Sequence, residues 1–341
     1  MTPEIYYRYY GVLNGGNMSS SWSVASANLT SVAVLIFALG FIGAKLKSDL
    51  RLPESVYQMI SLYLLFGIGL KGGHSLKSVT LESFFKPALA TIFLGVLIPI
   101  VAFYSLKFIR NINDMDRGAI AAHYGSTSLV TFSAALLYLE SNVIEVEGFM
   151  TAILTLLEIP GLIVGIYLGS RRKGEKVEWA HTLREVVTGK TVLLLVGGLA
   201  IGAITSVSGY LKVSPFFIDL QGGFLVLFLL HLGYQAGSNW SEVKKVGATM
   251  IAFGIIFPIL AGAIGVAVGL AVDLSIGGAT VLGVLCASGS YIAAPAAVAI
   301  GLPKANASLA LMSSIGVTFP FNLILGIPLY LEMARTYSTY L

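Results

Sequence analysis

Apolar runs close to the roughly 20 residues that a helix needs to cross a bilayer recur along this 341-residue chain, with only short polar breaks between them. A chain made of such runs has few alternatives. Outside water every backbone N–H and C=O must be satisfied internally, which leaves helices or a closed barrel, and the runs have helical rather than alternating character. Charged residues are 11% of the chain, against about a quarter in soluble domains, and mean hydropathy is +0.85. Ten segments can be read, at 29–44, 56–70, 87–106, 119–138, 149–168, 191–208, 216–233, 248–272, 279–299 and 307–331. The expected fold class is an all-α polytopic membrane protein of ten transmembrane helices, with the lipid bilayer as its first partner.

Lys and Arg orient it. Counting loops in chain order, fifteen of these residues fall in odd-numbered loops, among them Lys45, Lys107, Arg171, Arg172, Lys173, Lys176 and Lys244. Five fall in even-numbered loops and the tails (Arg8, Lys77, Lys86, Lys212 and Arg335), with Lys71 set aside as intramembrane. The positive-inside rule puts the odd loops in the cytoplasm and both termini outside a bacterial cytoplasmic (inner) membrane. The net charge of +4 is thereby a matter of topology and does not point to nucleic acid. Cys286 is the single cysteine, which rules out an intrachain disulfide framework or a Cys-based zinc site. The first 28 residues lack a basic stretch followed by an apolar one, so no cleavable signal is expected there.

The chain also repeats itself. Gly43-Ala44 answers Gly202-Ala203, Gly69 to Gly73 answers Gly233 to Gly237, and Gly95 with Pro99 answers Gly254 with Pro258. Four domains are expected: an extracytoplasmic tail (1–28), a first five-helix repeat (29–169), a cytoplasmic linker (170–190) and a second five-helix repeat (191–341). Five is odd, so the second repeat must be inverted relative to the first. The fourth and ninth segments are broken. Ser288-Gly289-Ser290, with Pro295 after it, is poor material for a continuous helix, because Gly is entropically unfavourable and Pro removes a donor. Gly125-Ser126-Thr127-Ser128 interrupts the fourth segment, with Gly125 opposite Gly289 and Ser126 opposite Ser290. Interrupted spans at corresponding places in inverted repeats mark a transporter's binding site.

The polar residues inside the apolar segments are candidates for that site. Gly125, Ser126, Thr127, Ser288, Gly289 and Ser290 are expected to bind substrate, since helix N-termini present amides and partial positive charge to a small anion. Small hydroxyl residues in membrane helices also serve close packing, and it is the pairing of the two breaks that favours a site. Glu158 has two readings, as a ligand for sodium or a proton, or as a structural carboxylate paired with Lys71. Lys71 either attracts an anion, pairs with Glu158, or snorkels to the interface. Ser128, Thr131, Thr318 and Asn322 could help hold a cation. His123 and His231 read as structural, with proton relay the alternative for His123. No transition-metal spacing, P-loop, GxSxG or HExxH is present.

Through most of its length, and best in four places, the chain resembles the sodium-dependent bicarbonate transporters of cyanobacteria and their wider bacterial family. These are Ile68 to Gly73, Gly125-Ser126-Thr127, Glu158-Ile159-Pro160, and Ala287 through Pro295 to Gly301, Pro303, Ala305-Asn306 and Ser308. The resemblance implies two inverted five-helix repeats whose broken helices cross at a site for bicarbonate and sodium. It also implies a homotrimer with an elevator-like mobile unit, and inhibition by a PII-like protein. Three features depart from the cyanobacterial pattern. Tyr291 stands where an Asp is found there, Lys71 replaces a neutral residue, and the linker is much shorter. The expected function is sodium-coupled symport of a small anion, most simply bicarbonate. Sodium is then a co-substrate, with no cofactor and no catalytic residue, and the protein is not an enzyme. The alternatives are a sodium- or proton-coupled carrier of a small organic carboxylate, a cation/proton antiporter and, from another class, a membrane sensor or intramembrane enzyme.

Overall fold

In a computed structural model describing residues 28–110, 112–171, 178–245 and 247–340, the chain is helical, with no strand among these residues. All of the expected tail except residue 28, including Arg8, lies outside the described residues, as do Arg172, Lys173 and Lys176 of the linker. The helices are α1 (Val32–Lys45), α2 (Glu54–Leu76), α3 (Leu81–Ser105), α4 (Asp114–Gly125), α5 (Leu129–Ser141), α6 (Met150–Ser170), α7 (Trp179–Thr188) and α8 (Lys190–Ile204). They continue with α9 (Val207–Ser238), α10 (Trp240–Lys245), α11 (Ala248–Ala271), α12 (Ile276–Ala287), α13 (Ala294–Gly301) and α14 (Ala307–Tyr337).

By length and apolar character, α3, α6, α9, α11 and α14 can each cross a membrane, and α7 with α8 makes a sixth span if that pair, bent by 50°, is taken together. The apolar helices α1 and α12 are shorter. Several boundaries differ from the sequence reading, among them the start of α9 and the end of α2. α9 starts at Val207 rather than near residue 216, because Ser206 caps it by accepting from the Gly209 amide. α2 runs on to Leu76, so Lys71 sits within the helix. Side-chain caps set several other starts in the same way, at Ser31, Thr80, Asn113, Ser128, Ser275 and Asn306, each stabilising its helix by about 1 kcal/mol.

Packing sorts the helices into two groups. In one, α1 lies along α9 and α2 along α8; in the other, α3 and α6 pack on α4, while α11 and α14 pack on α12. Lipid tails are as apolar as Leu, so these contacts rest on close backbone approach at small residues rather than on a hydrophobic drive. A Cβ added at Gly73 would stand 2.0 Å from the Leu199 carbonyl oxygen, and one at Gly233 would stand 2.0 Å from that of Phe37. The linker helix α7 buries Thr182 and Val186 and touches α6, α8 and α13, joining the two groups at one end.

Gly73→Ala is expected to destabilise the protein by about 1–3 kcal/mol through overpacking of α2 on α8. Gly197→Ala, at a position with no atom within 4 Å of an added Cβ, should leave stability within about 0.5 kcal/mol or raise it. Thermal unfolding of the two variants in detergent checks the contrast.

Candidate functional site

Two helices stop in the middle of the second group. α4 and α12 are each 12 residues long, start from capping side chains at Asn113 and Ser275, and end at residues of matching conformation. Ser126 has φ −91° and ψ 172°, and Ser288 has φ −87° and ψ 160°. In this register Ser126 answers Ser288 and Ser128 answers Ser290, so Gly125 lies opposite Ala287. The alignment of Gly125 with Gly289 is therefore two positions out. Helix resumes at α5 from the Ser128 cap and at α13 with Pro295 in its first turn, where a missing N–H costs nothing. The proline expected to break a helix here opens one.

The two breaks are bonded to each other. The Ser290 amide donates to the His123 carbonyl at 2.8 Å, and the Ser128 amide donates to Ser288 Oγ at 2.9 Å. Ser128 Oγ donates to the Tyr291 hydroxyl at 3.1 Å and accepts from the Thr131 amide at 3.2 Å. Ser290 Oγ accepts from the Ala294 amide, and Gly289 lies against the Ser314 side chain. Ser126, Thr127, Ser128, Ser288 and Ser290 are all buried. The structure thus brings together the hydroxyl residues of both breaks and Thr131.

Thr318 and Asn322 reach the crossing from α14, with their polar atoms engaged in helix-to-helix bonds. Thr318 Oγ1 meets the Tyr124 hydroxyl at 2.6 Å and donates to the Gly254 carbonyl at 2.7 Å. Asn322 Nδ2 donates to the Ala287 carbonyl at 2.8 Å, covering the end of α12, and its Oδ1 accepts from Tyr330. Glu158 is buried on α6 at 2% exposure. Gly161, one turn along the same face, presses on Gly125 so closely that an added Cβ would lie 1.9 Å from the Gly125 oxygen and 2.7 Å from the Ser126 nitrogen. Nothing in the sequence marked Gly161 except its spacing from Glu158.

Four buried atoms on these segments have no hydrogen-bond partner: His123 Nε2, Ser126 Oγ, Thr127 Oγ1 and Glu158 Oε1. The other nitrogen of His123, Nδ1, lies 2.8 Å from the Ala119 carbonyl. Each orphaned group costs about 1–3 kcal/mol, and such clusters are where a polar guest makes up the deficit. The arrangement offers both signs of partial charge, since α4 and α12 end here while α5 and α13 begin. Lys71 is not brought in. It is exposed and lines a separate cavity of about 230 Å³ with Glu140 and Glu147, not with Glu158. Among the described residues no three His, Cys, Asp or Glu side chains group as metal ligands.

Each interrupted helix is anchored at its far end by the opposite half of the chain. Asp116 Oδ1, in the first turn of α4, accepts from the Asn306 amide at 2.7 Å. Glu147 accepts from the Ser275 amide at 2.5 Å and its hydroxyl at 3.0 Å, at the start of α12.

The sequence matches, over residues 32–335, the family model described as the Na+-dependent bicarbonate transporter superfamily. No curated protein gives a significant match.

Ser288→Ala leaves the Ser128 amide without its acceptor in a buried place and is expected to cost about 1–3 kcal/mol. Ser126→Ala removes a hydroxyl that has no partner and should be neutral or stabilising. Melting temperatures of the two purified variants, read side by side, check this.

Proposed function

The chain belongs to the Na+-dependent bicarbonate transporter superfamily, and from that membership we propose that it couples inward sodium flow to the uptake of a small anion, bicarbonate. The observation that carries the reading is the crossing of two interrupted helices bonded to each other, where the buried hydroxyls of Ser126 and Thr127 have no partner. The anion would lie between the break residues Ser126, Thr127, Ser288, Gly289 and Ser290, with Gly125 allowing the close approach of Gly161. Sodium would take oxygens from Glu158, Ser128 and Thr131. Thr318 and Asn322 contribute by holding helix ends in place.

The proposal includes ten spans in two inverted five-helix repeats, α4–α5 and α12–α13 each counting as one broken span. Two features support it. Helix pairs recur under exchange of the halves, since α1 on α9 becomes α8 on α2. Among the described residues, these loop-to-loop bonds also join loops of like parity: Lys77 to the Thr205 carbonyl, Lys86 to Asp273, Glu147 to Ser275, Asp116 to Asn306, and Lys190 to Gln58 near the start of α2. An N-out chain in a bacterial cytoplasmic membrane, with odd loops inside, follows from the distribution of Lys and Arg. The elevator-like motion draws support from the sorting of the helices into two groups. The homotrimer and a PII-like regulator rest on the family resemblance alone.

The test is uptake of radiolabelled bicarbonate into proteoliposomes with and without an inward sodium gradient, beside excess acetate. Sodium-driven uptake that acetate leaves untouched is expected; acetate competition would move the reading to organic carboxylates. Glu158→Gln should abolish the sodium dependence, and sodium-driven uptake unchanged in that variant would remove Glu158 from the ion site. Thr127→Val, which removes an unpartnered hydroxyl, should keep its melting temperature while the apparent KM for the anion rises about ten-fold or more.

A further inference from the structure

The inference drawn here rests on reading the crossing as the substrate site. Beside the crossing, a cavity of about 420 Å³ opens between the two helix groups. Its walls include Tyr57 and Gln58 of α2, Glu185 of α7, Lys190 of α8, and Tyr291 and Pro295 at the second break. The wall opposite the break is polar and internally tied. Gln58 Nε2 donates to Glu54 at 2.6 Å, and Lys190 donates to Gln58 Oε1. The cavity therefore lies at the end of the bundle where the basic linker enters α8, the cytoplasmic end in the topology proposed above.

Tyr291 stands between this cavity and the site. It is 8% exposed and lines the cavity, while its hydroxyl accepts from Ser128 Oγ at 3.1 Å. No other lining side chain is bonded to a hydroxyl of the first break. Ser126, Thr127, Ser128, Ser288 and Ser290 do not line the cavity, although Tyr291 follows Ser290 directly in sequence. Besides its packing in the buried core, the ring makes that hydroxyl bond and an edge contact with Phe319 at 5.6 Å between centroids. On the side of the cavity its neighbours are the small side chains of Ala293, Ala296 and Ala297, which also line it.

We propose that Tyr291 gates the substrate site toward this cavity. Its ring screens the hydroxyls of both breaks from the basic end, and its bond to Ser128 holds the ring closed. Rotation of the ring breaks that hydrogen bond and uncovers the hydroxyls of the breaks toward the cavity. The bond partner, Ser128, also caps α5, so release of the ring leaves a hydroxyl free at the edge of the site.

Access of a thiol reagent to the site tests this without reference to any substrate. Cys286 is the single native cysteine and is buried, so Cys286→Ala gives a clean background. Ser126→Cys serves as the reporter, because Ser126 Oγ has no hydrogen bond to lose. The full chain in inside-out membrane vesicles is labelled with a small charged methanethiosulfonate. Tyr291→Phe should raise the labelling rate about three- to ten-fold, the kinetic equivalent of one hydrogen bond. Tyr291→Ala should raise it more than about ten-fold, with no comparable rise in right-side-out vesicles. Equal rates in all three proteins, or equal rises from both sides, would overturn the gate. Should Tyr291→Ala prove aggregated on size exclusion, the Tyr291→Phe comparison decides alone. Bicarbonate uptake by the parent protein separates the two claims. A rate rise without bicarbonate flux keeps the gate and removes the substrate reading, whereas normal flux with unchanged labelling removes the gate only.

Discussion

Backbone opened inside a membrane has no water to bond with, and the rest of this structure depends on how two openings satisfy one another. The Ser290 amide is met by the carbonyl of His123, and the Ser128 amide by the hydroxyl of Ser288. Asn322 covers the carbonyl that α12 leaves bare at Ala287. Neither break is tolerable without the other half of the chain beside it. The short helices, the close glycine contact from α6 and the anchoring carboxylates at Asp116 and Glu147 all serve to bring the two together.

After that mutual satisfaction, what remains unpaired defines the chemistry of the site. A hydroxyl pair at Ser126 and Thr127, an imidazole nitrogen and one carboxylate oxygen are left over. Against them stand helix ends of both polarities, and Lys71, for which an anion-attracting role was one of three readings, lies elsewhere. On the proposed function, a single charge entering this place would meet a large desolvation cost that the fixed dipoles only partly offset. An anion and a cation arriving together screen one another, which gives a physical basis for coupling their movement.

Much of the architecture was legible in the sequence because it is written in composition. The apolar segments, the two breaks and the family resemblance were all visible there, and Glu158 stood out as a carboxylate in an apolar run. What could not be read depends on partners distant in the chain. The repeat register went astray because shared Gly-Ser pairs are a weaker guide than helix caps, which set α4 and α12 to equal lengths. Hydropathy placed the start of α9 late for the same reason, since the cap at Ser206 rather than the apolar stretch begins the helix. Thr318 and Asn322 stood out in the sequence only as polar residues that could help hold a cation. Their hydrogen bonds to Tyr124, Gly254 and Ala287 are long-range facts that spacing does not carry.

The crossing also bears on synthesis. Ser128 and the side chain that receives its amide are 160 residues apart. When the first interrupted helix emerges, well over half of the chain lies beyond it, and the groups that will complete it come last. Until they arrive, that backbone must be covered by water, by lipid headgroups or by the insertion machinery. The first half of the protein is therefore a waiting intermediate, and the cell's quality control would meet it as one.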